Sequence, residues 1–330
     1  MERPRANGSR FDATDRRGHY ESWFQRANHP TRPLAFWIRY TIFVPRERPE
    51  ETRGELWAIV FDGERDEIVA VKNDIPIDAC RFATTGLDVR IADAVLTEGE
   101  LRGEARTDDR RIAWALAFEG GGPPLLLLQE RMYAGGFPKA KALVGRPGCR
   151  YSGTIEVGTR TLEIDGWQGS QNHNWGSRHT DRYAWGQVAG FDDDPSAFVE
   201  CSTARVKLGP LWSPWLTLVV VRLGDEEIAI HDLVRAARAR ARIDGFTWTF
   251  ETRKAQTRVR GRIEAPAHHF VGLRYANPPG GDKICLNSKL ASARLEIERP
   301  GHAPLVLHTR HRAAFELLGD ETRGVPVVVG

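Results

Sequence analysis

The residues best able to do chemistry cluster near the middle of the chain. Between Gly166 and Gly176 the sequence carries Trp167, Gln168, Gln171, Asn172, His173, Asn174 and Trp175; Arg178, His179, Asp181, Tyr183 and Trp185 follow closely. A histidine exchanges protons near neutral pH, and a desolvated carboxyl does so once burial has raised its pKa. Aromatic faces hold a developing cation through their quadrupole. His173 and Asp181 are therefore candidate proton donors, and Tyr183 belongs with them. Trp175 and Trp185 are candidates for a cavity wall, and Asn172 and Gln171 for orienting water or the acid. A purely structural role is the competing reading. There His173 bonds a backbone group, Trp175 plugs a core, and Gly176 permits close packing.

Other clusters carry less. Asp192, Asp193 and Asp194 precede Pro195 and read as a solvated turn rather than a cation site. His268 and His269 are adjacent, and on a strand neighbours point to opposite faces. The arginines at 235, 238, 240 and 242 read as a solvated face. Gly120, Gly121 and Gly122 run into prolines, which excludes a phosphate loop opening a helix. No nucleophile motif is present. The four cysteines (Cys80, Cys149, Cys201 and Cys285) lie far apart with no C-x-x-C pair, so they are expected as free thiols and not as a zinc site. Neither metal nor nucleotide cofactor is expected.

The elements that must position these residues read as strands. Charged residues are 28% of 330, and the formal charge is only +3, which gives no basic footprint for nucleic acid. The longest apolar runs, Leu125–Leu128 and Leu216–Val221, are strand-sized and too short to span a membrane. No signal peptide is visible, and a cytoplasmic location is expected. From His19 onward, short alternating runs are separated by turn residues. Only Lys139–Val144 and Asp232–Ala239 invite a helical reading. The order of events repeats after roughly 160 residues, as in a domain duplication. Glu55–Asp62 matches Trp215–Arg222. Leu101–Ala105 matches Val259–Ala265, and Arg111–Gly122 matches His268–Gly281. The expectation is an all-β chain of two antiparallel barrels in tandem: a flexible leader at 1–18, then halves at 19–178 and 179–330. Small barrels of about eight strands can hold one apolar ligand. Ten tryptophans fit either a pocket or a core.

His173-Asn174-Trp175-Gly176 followed by Tyr183-Ala184-Trp185 resembles the junction motif of the lipocalin-like superfamily of carotenoid hydratases (hydroxyneurosporene synthases) and, more distantly, tocopherol cyclases. Trp23-Phe24, the run Ala35 to Tyr40 with Trp37, Glu55 to Ala58 with Trp57, and Ala313 to Glu316 resemble the same family's strands. The resemblance implies two lipocalin-like barrels and a hydratase, cyclase or isomerase acting on an isoprenoid or polyketide-like molecule. It implies a functional His-x-Trp pair at His173 and Trp175, with Trp37 and Trp57 against the ligand. The family's later Tyr-x-Asp pair has no counterpart, since Tyr183 is followed by Ala184 and Trp185. On this reading the enzyme protonates an alkene or prenyl group, and the aromatic rings shield the cation. The alternatives are a non-catalytic carrier of a lipophilic ligand, or a structural protein whose barrels are filled by their own side chains.

Overall fold

The structure, a computed structural model, describes residues 1–329. It is almost entirely β, arranged as two large, mainly antiparallel sheets that curl into barrel-like bodies. The first sheet runs, in spatial order, Glu67–Pro76, Arg53–Asp62, Leu34–Val44, His19–Asn28, Arg160–Gly176, Ala140–Val157, Arg111–Gly120 and Glu100–Arg106. Three short strands follow at its edge. The second repeats that order with Glu226–Ile230, Leu216–Leu223, Phe198–Arg205, Arg182–Ala189, Leu305–Gly319, Asp282–Glu298, Thr257–Glu264, Thr247–Lys254 and Arg240–Asp244. In both sheets the first strand pairs with the last long one, so each half closes on itself before the chain moves on.

The common order confirms the match of Glu55–Asp62 with Trp215–Arg222 and corrects the other two. The strand holding Leu101–Ala105 occupies the place of Thr247–Lys254, and Arg111–Gly120 that of Thr257–Glu264. The expected pairing was one strand out, because Gly/Pro turns mark where a strand ends without saying which strand it is. Two local readings also change. Lys139–Val144 is not helical; from Ala140 it belongs to the long Ala140–Val157 strand. The strand-sized run Leu125–Leu128 is a strand only at Leu125 and Leu126. Leu233–Arg238 is a helix, capped by the Asp232 carboxylate at the Val234 and Arg235 N–H groups.

Side-chain alternation explains how the halves join. In Leu34–Val44 every residue is buried. Phe36, Ile38, Tyr40 and Ile42 point into the first barrel's core with Trp23, Trp114 and Tyr151. Ala35 and Trp37 point the other way, into a cluster with Phe24, Trp57, Trp185, Leu273 and Tyr275 that draws on both halves. A strand buried on both faces needs a near-continuous apolar run, which this segment has. The second barrel has its own core around Trp248, Phe250 and Phe315.

The segment before His19 is not a loose leader over its first ten residues. Arg3–Asn7 is a short helix, and Ala6 and Asn7 are fully buried. The carbonyl of Asn7 accepts the Trp23 indole N–H at 2.8 Å. All four cysteines are free, as expected. Among the described residues no helix is long and apolar enough to cross a membrane.

Candidate active site

A cavity of about 510 Å³ opens where the two halves meet. Its walls come from the end of the Arg160–Gly176 strand, from Tyr20 and Phe24, from the segment around Lys139, and from Arg182–Ala189 and Phe198–Arg205. The Gly-rich motif makes the approach of strands possible. A Cβ on Gly176 would sit 2.1 Å from the Lys139 carbonyl oxygen, and one on Gly169 would lie closer still to that of Arg26.

Of the residues singled out in the sequence, Asn172, His173, Asp181, Tyr183 and Trp185 line this cavity. The other four do not. Trp37 and Trp57 are packed in the cluster between the halves, where the Trp57 indole donates to Glu55 at 3.1 Å. Trp175 packs with Leu127 and Tyr133 beneath the Arg10 guanidinium, 4.4 Å from the ring centroid. Gln171 is fully buried, its amide donating to the Asn172 carbonyl. Strand alternation turns these residues to surroundings that sequence proximity does not reveal.

His173 is fully buried between Trp23, stacked at 4.7 Å, and Trp175 at 4.8 Å. Its Nδ1 faces the Ala6 carbonyl at 2.7 Å, and its Nε2 faces Glu21 Oε1 at 2.8 Å. Both partners are acceptors, so the ring either carries two protons or meets a proton on Glu21. Glu21 also accepts from the Arg10 backbone N–H, the Ser9 hydroxyl and His19. Burial pushes the Glu21 carboxyl up, but the bonds from His173 and His19 outweigh it and hold it at about 2. Burial lowers the His173 imidazole from its ordinary value and the Glu21 carboxylate opposes that shift, so the two groups are coupled through the Nε2–Oε1 hydrogen bond. Asp181 is engaged too, accepting from Arg178 at 2.7 Å and from the Lys207 N–H at 2.8 Å. Tyr183 donates to Glu316 at 3.3 Å, and burial raises its hydroxyl well above the ordinary range, so it stays protonated.

The residue that sequence reasoning missed is Glu200. It lines the cavity, and burial pushes its carboxyl up to about 7. Oε1 accepts the Trp185 indole N–H and Oε2 accepts from Gln187, each at 2.7 Å. Neither partner can take a proton from it, so a proton on Glu200 has no acceptor in this pair of bonds. Gln187 is itself fixed by Asn172 at 2.8 Å, Ser170 at 2.6 Å and Arg26 at 3.3 Å. Asn172 thus reaches Glu200 through one amide. The signal was present in Phe198-Val199-Glu200-Cys201, where one acid interrupts an apolar run.

A second carboxylate, Glu316, also lines the cavity and pairs with the fully buried Lys289 at 2.9 Å. His179 stacks on Tyr20 at 4.0 Å; burial drives its pKa down to about 3 and it is neutral. Away from the cavity, His268 and His269 lie in a 3-10 turn and not in a strand, so the expected divergence does not apply. With Asp66 they form a group joining the halves, Asp66 and His268 exposed and His269 half-buried, His268 lying 3.7 Å from the carboxylate.

The fold and this site define a double-barrel protein with a titratable cavity at its seam. No protein-family model matches the chain. An uncharacterized protein of Mycobacterium tuberculosis, found in two strains, is 26% identical over 301 residues, 89% of this chain and 85% of the relative. Among solved structures, an AttH-like protein from Nitrosomonas europaea superposes with a TM-score of 0.58 at 13% identity, covering 97% of each chain. Kievitone hydratase from Nectria haematococca gives 0.54 at 10% identity over 98% of each. CghA, solved with Sch210972, gives 0.51 at 11% over 93% of this chain and 90% of that one. The chain therefore shares the fold of a hydratase and of CghA; at these identities the likeness is one of fold.

Proposed function

We propose that this protein is a hydratase- or cyclase-type enzyme that protonates an alkene of a hydrophobic, isoprenoid or polyketide-like molecule in the seam cavity. One observation carries the reading. Glu200 is a fully buried carboxyl on the cavity wall, held near pH 7, with only donors beside it. An acid so tuned is protonated in a large fraction at neutral pH and still gives up its proton readily. His173 and Asp181, the other candidate donors, are bound into Glu21 and Arg178, which leaves Glu200 as the acid that faces the ligand. Trp185 adjoins it, Tyr183 lines the same cavity beside Glu316, and these rings shield the cation; Asn172 holds the amide that orients the carboxyl. Protonation of one alkene carbon leaves a cation on the other. Water or an internal nucleophile then attacks, and the proton lost in that step returns to the Glu200 carboxylate.

The test is turnover of prenylated and polyketide-type alkenes in deuterated water, read by mass spectrometry. The wild type is expected to incorporate deuterium, with gain of water or ring closure. Glu200→Gln should lose about a hundredfold or more in rate while still binding ligand. Full turnover by Glu200→Gln sinks the assignment. A stoichiometric bound lipid with no turnover of any alkene favours a carrier instead.

A further inference from the structure

Seven large apolar side chains are exposed among the described residues: Phe137, Leu208, Leu211, Leu233, Val234, Val306 and Val328. Five of them gather at one place, the mouth of the seam cavity. Phe137, Leu208 and Leu233 line the cavity itself. Leu211 pairs with Leu208 across the small hairpin Lys207–Leu208/Leu211–Trp212, and Val234 adjoins Leu233 on the Leu233–Arg238 helix. They are well exposed, Leu211 at 70% and Phe137 at 58%. Three separate segments thus present apolar tips around one opening. Isolated exposed apolar residues need no explanation, but a ring of them around a cavity mouth marks an interaction surface.

The ring is basic as well. Lys139 and Lys207 are exposed beside Phe137 and Leu208, and neither joins an ion pair among the described residues. Arg205 stacks over Trp212 and Trp215 at 4.4 and 4.5 Å, and Lys207 reaches Trp212 at 5.2 Å. These contacts hold the hairpin's charges at its base while its leucines project. Arg238 adds charge on the helix, whereas Arg235 pairs with Asp232 at 3.8 Å. The rim's acids are already committed: Asp181 binds Arg178, and Asp232 caps the helix.

Apolar tips that can enter an acyl layer, ringed by cations that meet its headgroups, match an anionic bilayer. We infer that the cavity mouth docks on an anionic phospholipid surface, so that a lipophilic ligand passes from bilayer to cavity without crossing water. The partner is a lipid surface and not a second copy of this chain, because several free cations around a patch of like sign oppose self-association. The inference rests on the hydrophobic-ligand reading of the cavity, but its test does not need turnover.

The test is co-sedimentation of the full chain with vesicles of phosphatidylcholine, with and without phosphatidylserine. Binding is expected only with phosphatidylserine and should weaken as salt rises. Leu208→Ser/Leu211→Ser should weaken it about tenfold or more. Lys139→Gln and Lys207→Gln should each cost about fivefold. Val306→Ser, remote from the ring, should change nothing, and near-UV circular dichroism checks that each variant is folded. Failure to bind any vesicle overturns the inference. So does equal binding to neutral vesicles, or a concentration-dependent dimer abolished by Leu208→Ser/Leu211→Ser. If docking fails while organic extraction still recovers a bound lipid, the cavity reading stands alone. If docking succeeds and the cavity is inert, only the catalytic reading falls.

Discussion

The inside of the first barrel and the seam between the halves are equally dry but chemically unlike. In the barrel, Trp23, Phe36, Tyr40 and Trp114 pack edge and face, and polar tips are settled within the half: the Trp114 indole donates to Tyr40, whose hydroxyl donates to the Val95 carbonyl. The seam buries Arg26, Gln187, Glu200 and Lys289, with partners drawn from distant parts of the chain. A barrel core is cheap to build from apolar side chains. Buried charges cost several kcal/mol each in lost hydration, and pairing returns only part of it. Apolar residues would fill the seam more stably, so its charges point to a task other than holding the fold.

The sharpest way to break this contrast is to disturb each region in turn. Phe36→Ala in the barrel should cost about 3–5 kcal/mol through the cavity it leaves, seen in urea unfolding. In the seam, Lys289→Met alone should cost about as much, because it strands Glu316. The double variant Lys289→Met/Glu316→Leu should recover most of that loss. A double variant no better than the single would mean that the seam charges do hold the fold together.

The next effect is one of pH, with opposite signs at two buried carboxyls, Glu200 at the seam and Glu21 within the first half. Glu200 has its folded pKa raised to about 7, so the folded state holds its proton longer than the unfolded chain does. Its effect is to lower stability as pH rises from about 4.5 to 7, by about 3 kcal/mol in all. Glu21 is depressed to about 2, so it stabilises above about 4.5, and that contribution is lost as pH falls towards 2. Glu200→Gln should therefore flatten the loss of stability between pH 5 and 8. Glu21→Gln should flatten the loss on the acid side. Parallel unfolding curves for wild type and Glu200→Gln across pH 5 to 8 would remove the perturbed acid from the site.

The smallest effect concerns the barrel's closure. Asn73 donates to the Arg106 carbonyl at 2.7 Å and accepts its N–H at 2.9 Å, clipping the strand edge at Glu67–Pro76 to Glu100–Arg106 without ladder pairing. Asn73→Ala should cost about 1 kcal/mol and leave the seam untouched, measured by unfolding and by deuterium uptake in 100–106.

These contrasts also explain what the sequence could and could not tell. Alternation and turn chemistry are local, so the all-β class, the repeat and the Asp232-capped helix were legible. The junction motif was legible because its glycines and aromatics are crowded together, and five of its marked residues do meet at the cavity. The ion pairs were not legible. Glu200, Glu316 and Lys289 are single residues in strands far apart in sequence, and only the sheet order brings them together. Trp37 and Trp57 misled because strands buried on both faces carry aromatics on each. Nothing in the sequence says which face meets a ligand. The role of residues 1–10 was hidden because a polar, arginine-rich opening has the composition of a tail. Its contribution comes from backbone groups, the Ala6 carbonyl at His173 and the Arg10 N–H at Glu21.

The two-faced strands carry one further consequence. Because Leu34–Val44 is a wall of the first barrel on one side and a wall of the seam on the other, neither half is a separable module. Cut between Gly176 and Arg182, each piece would show water a bare sheet face: Phe24, Trp37 and Trp57 on one, Trp185, Leu273 and Leu318 on the other. The fragments should precipitate when made singly and find each other when made together. In a lineage that arose by duplication, two copies bound in this way can no longer diverge on their own. A substitution on the shared face of one is answerable to the other, and the chemistry at the seam belongs to the pair.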